Sequence, residues 1–180
     1  MTVTAPLTAE LTTGTWVIEP AHSEVGFTVR HLGLSKVRGR FNTFAGTVNI
    51  VDDRVASSVE ATIDLASVDT NNADRDGHLR STDFFDVDAH PQMVFRSTAV
   101  TPEELTGELT LNGITRQVTL DLEFHGVTVD GYDTTRAGFS AEGRISRTDY
   151  GIDFNAPLGV DGMLIGDKIT IELEIQAVPA

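Results

Sequence analysis

Apolar and polar residues alternate with a period of two along most of this 180-residue chain. Val25, Phe27 and Val29 alternate with Glu24, Gly26, Thr28 and Arg30. Val59, Ala61, Ile63 and Leu65 do the same with Ser58, Glu60, Thr62 and Asp64. Further on, Val118, Leu120, Leu122 and Phe124 interleave with Gln117, Thr119, Asp121 and Glu123. Near the C-terminus Ile169, Ile171, Leu173 and Ile175 interleave with Lys168, Thr170, Glu172 and Glu174. Successive side chains of a strand point to opposite faces, so each run predicts a strand with one apolar and one wet face. Antiparallel sheets are built this way. Turn chemistry divides the runs at Asp52-Asp53, at Thr101-Pro102-Glu103-Glu104, and at two-residue hairpin signals, Asn112-Gly113 and Asp130-Gly131. About eight strands at this spacing predict an all-β sandwich or up-and-down barrel. The alternation changes phase near Asn42 to Phe44, which predicts a β-bulge bending one long strand.

Two segments break the pattern. From Asn71 to Asp86 apolar residues are sparse until Phe84 and Phe85, and Asn72 is suited to cap a short helix over about 72–79. From Arg147 to Gly166 the chain is irregular yet carries Tyr150, Ile152, Phe154, Leu158 and Leu164, as expected of a lid over one barrel end. Residues 1–13, rich in Thr, Ala and Pro, read as a flexible tail, with one domain over 14–180.

Composition narrows the functions open to such a domain. The formal net charge is −14, so the surface as a whole repels nucleic acid and anionic lipid headgroups, which argues against a phosphate-tracking role, and any anion site is local. No apolar run approaches the ~20 residues of a membrane-spanning helix. The first residues lack the basic and apolar parts of a secretory signal, and cysteine is absent; both point to a cytoplasmic protein.

A barrel of about eight strands is just wide enough to be filled by side chains or to hold one small ligand. Inward positions here mix small residues (Ala61, Gly107, Ala137, Ala141 and Gly143) with large apolar ones. Such neighbours leave a tapering apolar channel or interlock as a packed core, and the residues alone leave both open.

Candidate chemistry is thin. His22-Ser23 and His31 offer a nucleophile and a base, but no nucleophile elbow accompanies them; a structural tie between strands is the plainer reading, and no catalytic residue is assigned. The histidines His22, His31, His78, His90 and His125 lack the close pairing with carboxylates that marks a metal site, and none is assigned. The run Arg75, Asp76, His78, Arg80, Asp83 and Asp86 reads either as a polar clamp for a ligand headgroup or as a salt-bridged helix closing the barrel. Arg30, Lys36, Arg38 and Arg40 share the outer face of a hairpin, either solvated or receiving an anionic headgroup or partner.

Spaced motifs then resemble a known family. Trp16-x-Ile18-x-x-x-His22-Ser23-x-Val25-x-Phe27-x-Val29-x-His31 is similar to the opening of the YceI-like, polyisoprenoid-binding barrels, with Val37-x-Gly39-x-Phe41 after it. His78-Leu79-Arg80-Ser81-x-Asp83-Phe84-Phe85-Asp86, with Pro91 and Phe95, resembles the family's most distinctive run. Leu109-Thr110-x-x-Gly113-Ile114-Thr115 and Tyr150-Gly151 also match, so the likeness covers about Trp16 to Val178. Gly14-x-Trp16 fits true lipocalins as well. The resemblance implies an extended, lipocalin-like antiparallel barrel with a long hydrophobic channel, a bound isoprenoid, isoprenoid quinone or similar lipid, no required cofactor, and often a homodimer. It implies a binder or carrier; a lipid-modifying enzyme and a ligand-free interaction scaffold are the alternatives. The expected channel lining is Phe27, Val29, Phe41, Phe84, Phe85 and Phe95. Leu109, Leu120, Leu122, Phe139, Ile145, Ile152 and Phe154 complete it. The expected polar mouth comprises His31, Arg38, Arg40, Arg75, His78 and Arg80.

Overall fold

The structure is a computed structural model that describes residues 11–52, 56–155 and 165–180. Residues 1–10 of the expected tail and 156–164 of the expected lid lie outside the described residues. Strands β1 (Gly14–Ile18), β2 (Glu24–His31), β3 (Ser35–Phe41), β4 (Phe44–Ile50), β5 (Ser58–Asp64) and β6 (Val68–Asp69) lead to helix α1 (Ala73–Arg80). Then follow β7 (Gln92–Val100), β8 (Glu104–Leu111), β9 (Ile114–Val129), β10 (Thr135–Ser146) and β11 (Ile165–Pro179). All pairings are antiparallel, and β1 pairing with β11 closes an eight-stranded barrel.

Among the described residues eleven strands occupy eight positions because the first three positions are bent. Both β1 and β2 lie along β11, Ile18 opposite Ala177 and Glu24 opposite Glu174. Between them Pro20–His22 forms a single 3-10 turn. β3 and β4 continue one another alongside β2 and β1, and β6 extends β5 alongside β3. The phase change at Asn42–Phe44 is therefore a break between two strands, not the expected bulge within one. The N–H groups of Asn42 and Thr43 donate to Ser67 O and Ser67 Oγ, which anchors the corner. Pairing irregularities do occur elsewhere, between Gly138 and Phe139 and between Ser97 and Ala99.

Two hairpins illustrate what turn residues decide. Asn112 and Gly113 both adopt left-handed φ (54° and 73°), as a two-residue I′ turn demands. Asp130-Gly131 does not form the expected two-residue turn. Asp130 N–H instead donates to Thr134 O, and the Asp130 carboxylate accepts from the N–H groups of Tyr132 and Thr134, making a longer loop.

Helix α1 covers the gap between the short β6 and β7. Asn72 caps it by accepting from Arg75 N–H, and the buried Asp76 accepts from Thr70 N–H (2.8 Å) and Thr70 Oγ1 (2.5 Å). At the opposite end Trp16 (2% exposed) packs with Val48, Ile50, Phe124, Ala137 and Ala177. Leu11, inside the stretch expected to be a tail, belongs to this cluster and is 4% exposed.

Candidate functional site

The inward faces of the strands enclose an apolar cavity of roughly 540 Å³. It runs from Leu11, Ile50 and Val100 at one end to His31, Arg75, His78 and Ile165 beneath the helix. Period-two alternation fixes the lining: Val25, Phe27 and Val29 of β2 face Ile169, Ile171 and Leu173 of β11 across the pleat, while Thr28, Arg30, Thr170 and Glu172 alternate with them along the strands.

How a barrel of this size keeps a lumen is settled by its glycines. A Cβ on Gly39 would stand 2.3 Å from Phe27 Cζ; on Gly107, 2.5 Å from Phe95 Cζ; on Gly143, 2.4 Å from Leu120 Cδ2. The large side chains thus lie down over glycines in the neighbouring strand instead of projecting across the barrel. Of the two sequence readings of small beside large, the structure has the apolar channel, with the large side chains packed against its wall.

Every apolar position expected to line the channel does so: Phe27, Val29, Phe41, Phe84, Phe85, Phe95, Leu109 and Leu120. Leu122, Phe139, Ile145, Ile152 and Phe154 do so too. Beneath the helix three rings meet edge to face, His78 with Phe84 (5.0 Å), His78 with Phe154 (4.9 Å) and Phe84 with Phe154 (5.2 Å). His78 Nε2 also meets Asp83 Oδ2 at 2.8 Å, which fixes the imidazole against the aromatic pair.

The expected polar mouth divides. His31, Arg75 and His78 line the cavity. Arg75 is held there by donating to Thr70 Oγ1 (2.8 Å) and Thr70 O (2.7 Å). Arg38 and Arg40 do not reach it: they alternate with the inward Val37, Gly39 and Phe41, and border a separate polar hollow with Glu24, Asp69 and Asn71. Arg40 stands 3.8 Å from Asp69. Arg80 is also off the cavity, its guanidinium donating to the carbonyls of Ala66 and Val68. A hydrogen-bonded helix thus packs over that end, and of its charged run Arg75 and His78 meet the lumen.

Arg147 was not among the sequence candidates. It is 5% exposed and lines the cavity. Its guanidinium donates to the carbonyls of Gly166 (2.9 Å), Ile152 (3.0 Å), Phe154 (2.8 Å) and Ile165 (3.4 Å). Burial lowers its pKa from the ordinary arginine value, and the Asp167 and Asp153 carboxylates act in the opposite direction. An arginine between Ser146 and Thr148 in the sequence carries no mark of this role. Asp167 closes the same corner, accepting from Ser146 Oγ, Thr148 Oγ1 (2.7 Å) and Thr148 N–H, and the Ser146 bond does most to hold its carboxyl below the usual range.

Of the pair His22-Ser23, Ser23 makes the expected tie between strands and His22 does not. Ser23 Oγ accepts from Gln176 N–H (3.0 Å) and donates to Gln176 O (3.3 Å), tying the β1–β2 corner to β11. His22 lies exposed against Glu19 at 2.6 Å, and His125 lies on the wet face against Ser140. Among the described residues no group of three or more His, Asp or Glu side chains could hold a metal ion, and no helix is long and apolar enough to cross a membrane.

Comparison with known proteins agrees with this architecture. The YceI-like domain family matches residues 16–177. Protein YceI of Shigella flexneri is 43% identical over 139 residues, covering 74% of this chain and 73% of that protein. The crystal structure of the Campylobacter jejuni YceI protein superposes with a TM-score of 0.69 at 30% identity, covering 96% of this chain and 99% of that one. A polyisoprenoid binding domain from Saccharophagus degradans shares the fold, with a TM-score of 0.68 at 15% identity, over 92% of this chain and 98% of that one.

Proposed function

The chain belongs to the YceI-like family, and from that premise we propose that it binds and carries a long apolar amphiphile in the barrel: an isoprenoid, an isoprenoid quinone or an acyl lipid. The observation that carries this reading is the end-to-end apolar cavity of roughly 540 Å³. Its volume lies within the range of small-molecule sites. Water gains little there, because the walls offer it few polar partners. A hydrocarbon chain gains much: each buried methylene contributes on the order of 0.8 kcal/mol, so ten of them supply about 8 kcal/mol before the cost of ordering the chain. The polyisoprenoid-binding name of the S. degradans domain supports the same class of cargo.

The polar groups orient the cargo. Arg75, His78 and His31 face the lumen at the helix end, so the headgroup lies there and the tail runs towards Leu11 and Ile50. Arg147, whose donors are already taken by four carbonyls, holds the wall and not the headgroup. Ser140 borders the cavity, but it alternates with the inward Phe139 and Ala141, and its hydroxyl is bonded to His125 (2.6 Å) and Glu174 (2.7 Å) on the wet face. A serine–histidine pair turned away from the lumen favours a carrier over a lipid-modifying enzyme.

The test is an occluding substitution in the wall. Ala141 lines the cavity and is 8% exposed. In Ala141→Phe the new ring enters the lumen, and the expected result is a folded barrel, by circular dichroism, that yields at least tenfold less apolar material per mole on organic extraction than the wild type. Equal yields from the two proteins would place the lipid outside the cavity and end the proposal. Native mass spectrometry of the same samples reports whether the homodimer forms.

A further inference from the structure

The hairpin joining β2 and β3 lines the cavity through Arg30, His31 and Val37, and its tip projects beyond that lining. Leu34 at its tip is 81% exposed. The turn itself is made by Leu32 and Gly33, both with left-handed φ (56° and 67°). The loop is three residues long, Leu32 to Leu34, because His31 pairs with Ser35. A left-handed φ is unfavourable for leucine, so Leu32 gives up local backbone stability, and its half-buried side chain lies next to the exposed Leu34.

Cations surround that tip. Arg30 and Lys36 stand directly opposite one another on the outer face of the hairpin. One step along, a row runs across four strands from Arg144 through Thr170 and Thr28 to Arg38. Lys168 lies opposite Ser146 at the same end. Arg30, Lys36, Arg38, Arg144 and Lys168 are all exposed, and among the described residues none stands within ion-pair distance of a carboxylate. The acidic groups of these strands lie apart from this end or are already engaged. Asp167, beside Lys168, is held by Ser146 and Thr148. Asp69 is taken by Arg40 and Asn42; Glu24 borders the same hollow as Arg38 without an ion pair, and Glu142 and Glu172 form the next row back from Arg144 and Thr170. Like charges directly across a strand pair destabilise a sheet. In a chain of net charge −14, folding alone gives no reason to gather five cations on one face.

We infer that the β2–β3 hairpin is a docking element for an anionic lipid bilayer, Leu34 and Leu32 entering the interface while Arg30, Lys36, Arg38, Arg144 and Lys168 meet the headgroups. An apolar tip within a basic surround is the composition of an interfacial membrane anchor; an acidic protein partner would explain the cations but not the bare leucine. The inference rests on the carrier reading above. Arg30 and His31, the last residues of β2, also line the cavity, so docking sets its headgroup end against the membrane that supplies or receives the lipid.

The test is flotation of the purified protein with phosphatidylcholine vesicles, with and without phosphatidylglycerol, at low and high salt. The expected result is recovery with the anionic vesicles at least about tenfold above that with phosphatidylcholine alone, on a scale where each surface cation contributes roughly fivefold, and a loss of that excess in high salt. Lys36→Glu combined with Arg38→Glu should bring recovery down to the phosphatidylcholine value, and Leu34→Ser should lower it severalfold. Arg96→Glu, on the outer face of β7, should leave it unchanged. Equal recovery on both vesicles, no recovery on either, or undiminished flotation of the double variant would overturn the inference. So would a Leu34→Ser change that dissociates a dimer while flotation persists, since the tip would then serve a second copy of the chain. Organic extraction of the same preparations separates the two proposals: flotation without extractable lipid leaves docking standing and removes the carrier, and lipid without flotation does the reverse.

Discussion

Gly39 and Arg147 show how single residues set the shape of the lumen. The Gly39 hydrogen faces the Phe27 ring, and a methyl there would stand 2.3 Å from Phe27 Cζ and 2.9 Å from Thr70 Cγ2. Gly39→Ala is therefore expected to cost about 1–3 kcal/mol in chemical denaturation, and to turn the Phe27 ring into the cavity so that less lipid is held; unchanged stability and unchanged lipid would contradict the packing described. Arg147→Met removes the donors to four carbonyls in a corner closed to water. Each unsatisfied carbonyl costs about 1–3 kcal/mol with partial relaxation, so a loss of about 3 kcal/mol or more is expected from urea titration, well beyond a surface arginine such as Arg96. The Phe27 position was legible from alternation, since inward parity follows from a period of two. Its conformation over Gly39 was not, because which neighbour strand faces Gly39 is a tertiary fact. Arg147 was illegible for the same reason: its partners are backbone carbonyls, which have no sequence signature.

At the level of elements, the strands and the helix cap followed from local rules, whereas strand breaks and loop lengths did not. Asn72 caps α1 as its side chain allows, and Asn72→Ala is expected to cost about 1 kcal/mol, read as a shift in thermal midpoint. The break between β3 and β4 looks in sequence like a bulge, since both change the phase of alternation; only the anchoring of Asn42 and Thr43 by Ser67 distinguishes them. The β9–β10 loop escaped the Asp-Gly rule because Asp130 is engaged from several sides. Arg136 Nε donates to it at 2.7 Å, and with the N–H groups of Thr134 and Tyr132 this holds its carboxyl below the usual carboxylate range. A depressed folded-state pKa means that the ionised carboxylate stabilises the fold above its unfolded pKa and that this contribution disappears as pH falls through the folded value. Asp130→Asn is accordingly expected to lower the thermal midpoint at pH 7, with the gap to the wild type closing below about pH 4. A gap that stayed constant through that window would show that the loop does not depend on the charge.

For the whole molecule, the barrel, its lining and its family are mutually consistent outcomes of one pattern. Alternation gives strands, strands of unequal company bend at three corners, and aromatic rings lying over glycines keep the centre open. The division of the charged residues was the least legible feature. Parity already turned Arg38 and Arg40 outward in the sequence, yet the expected mouth grouped them with Arg75 and His78, which the helix brings to the lumen. The central claim is that this lumen holds lipid. Its most direct test is mass spectrometry of an organic extract from gently purified protein, paired with native mass spectrometry of the intact chain. The expected result is a long apolar amphiphile at about one per barrel, released on denaturation. An empty barrel that also fails to bind isoprenoid, quinone or acyl lipid saturably on titration would contradict it.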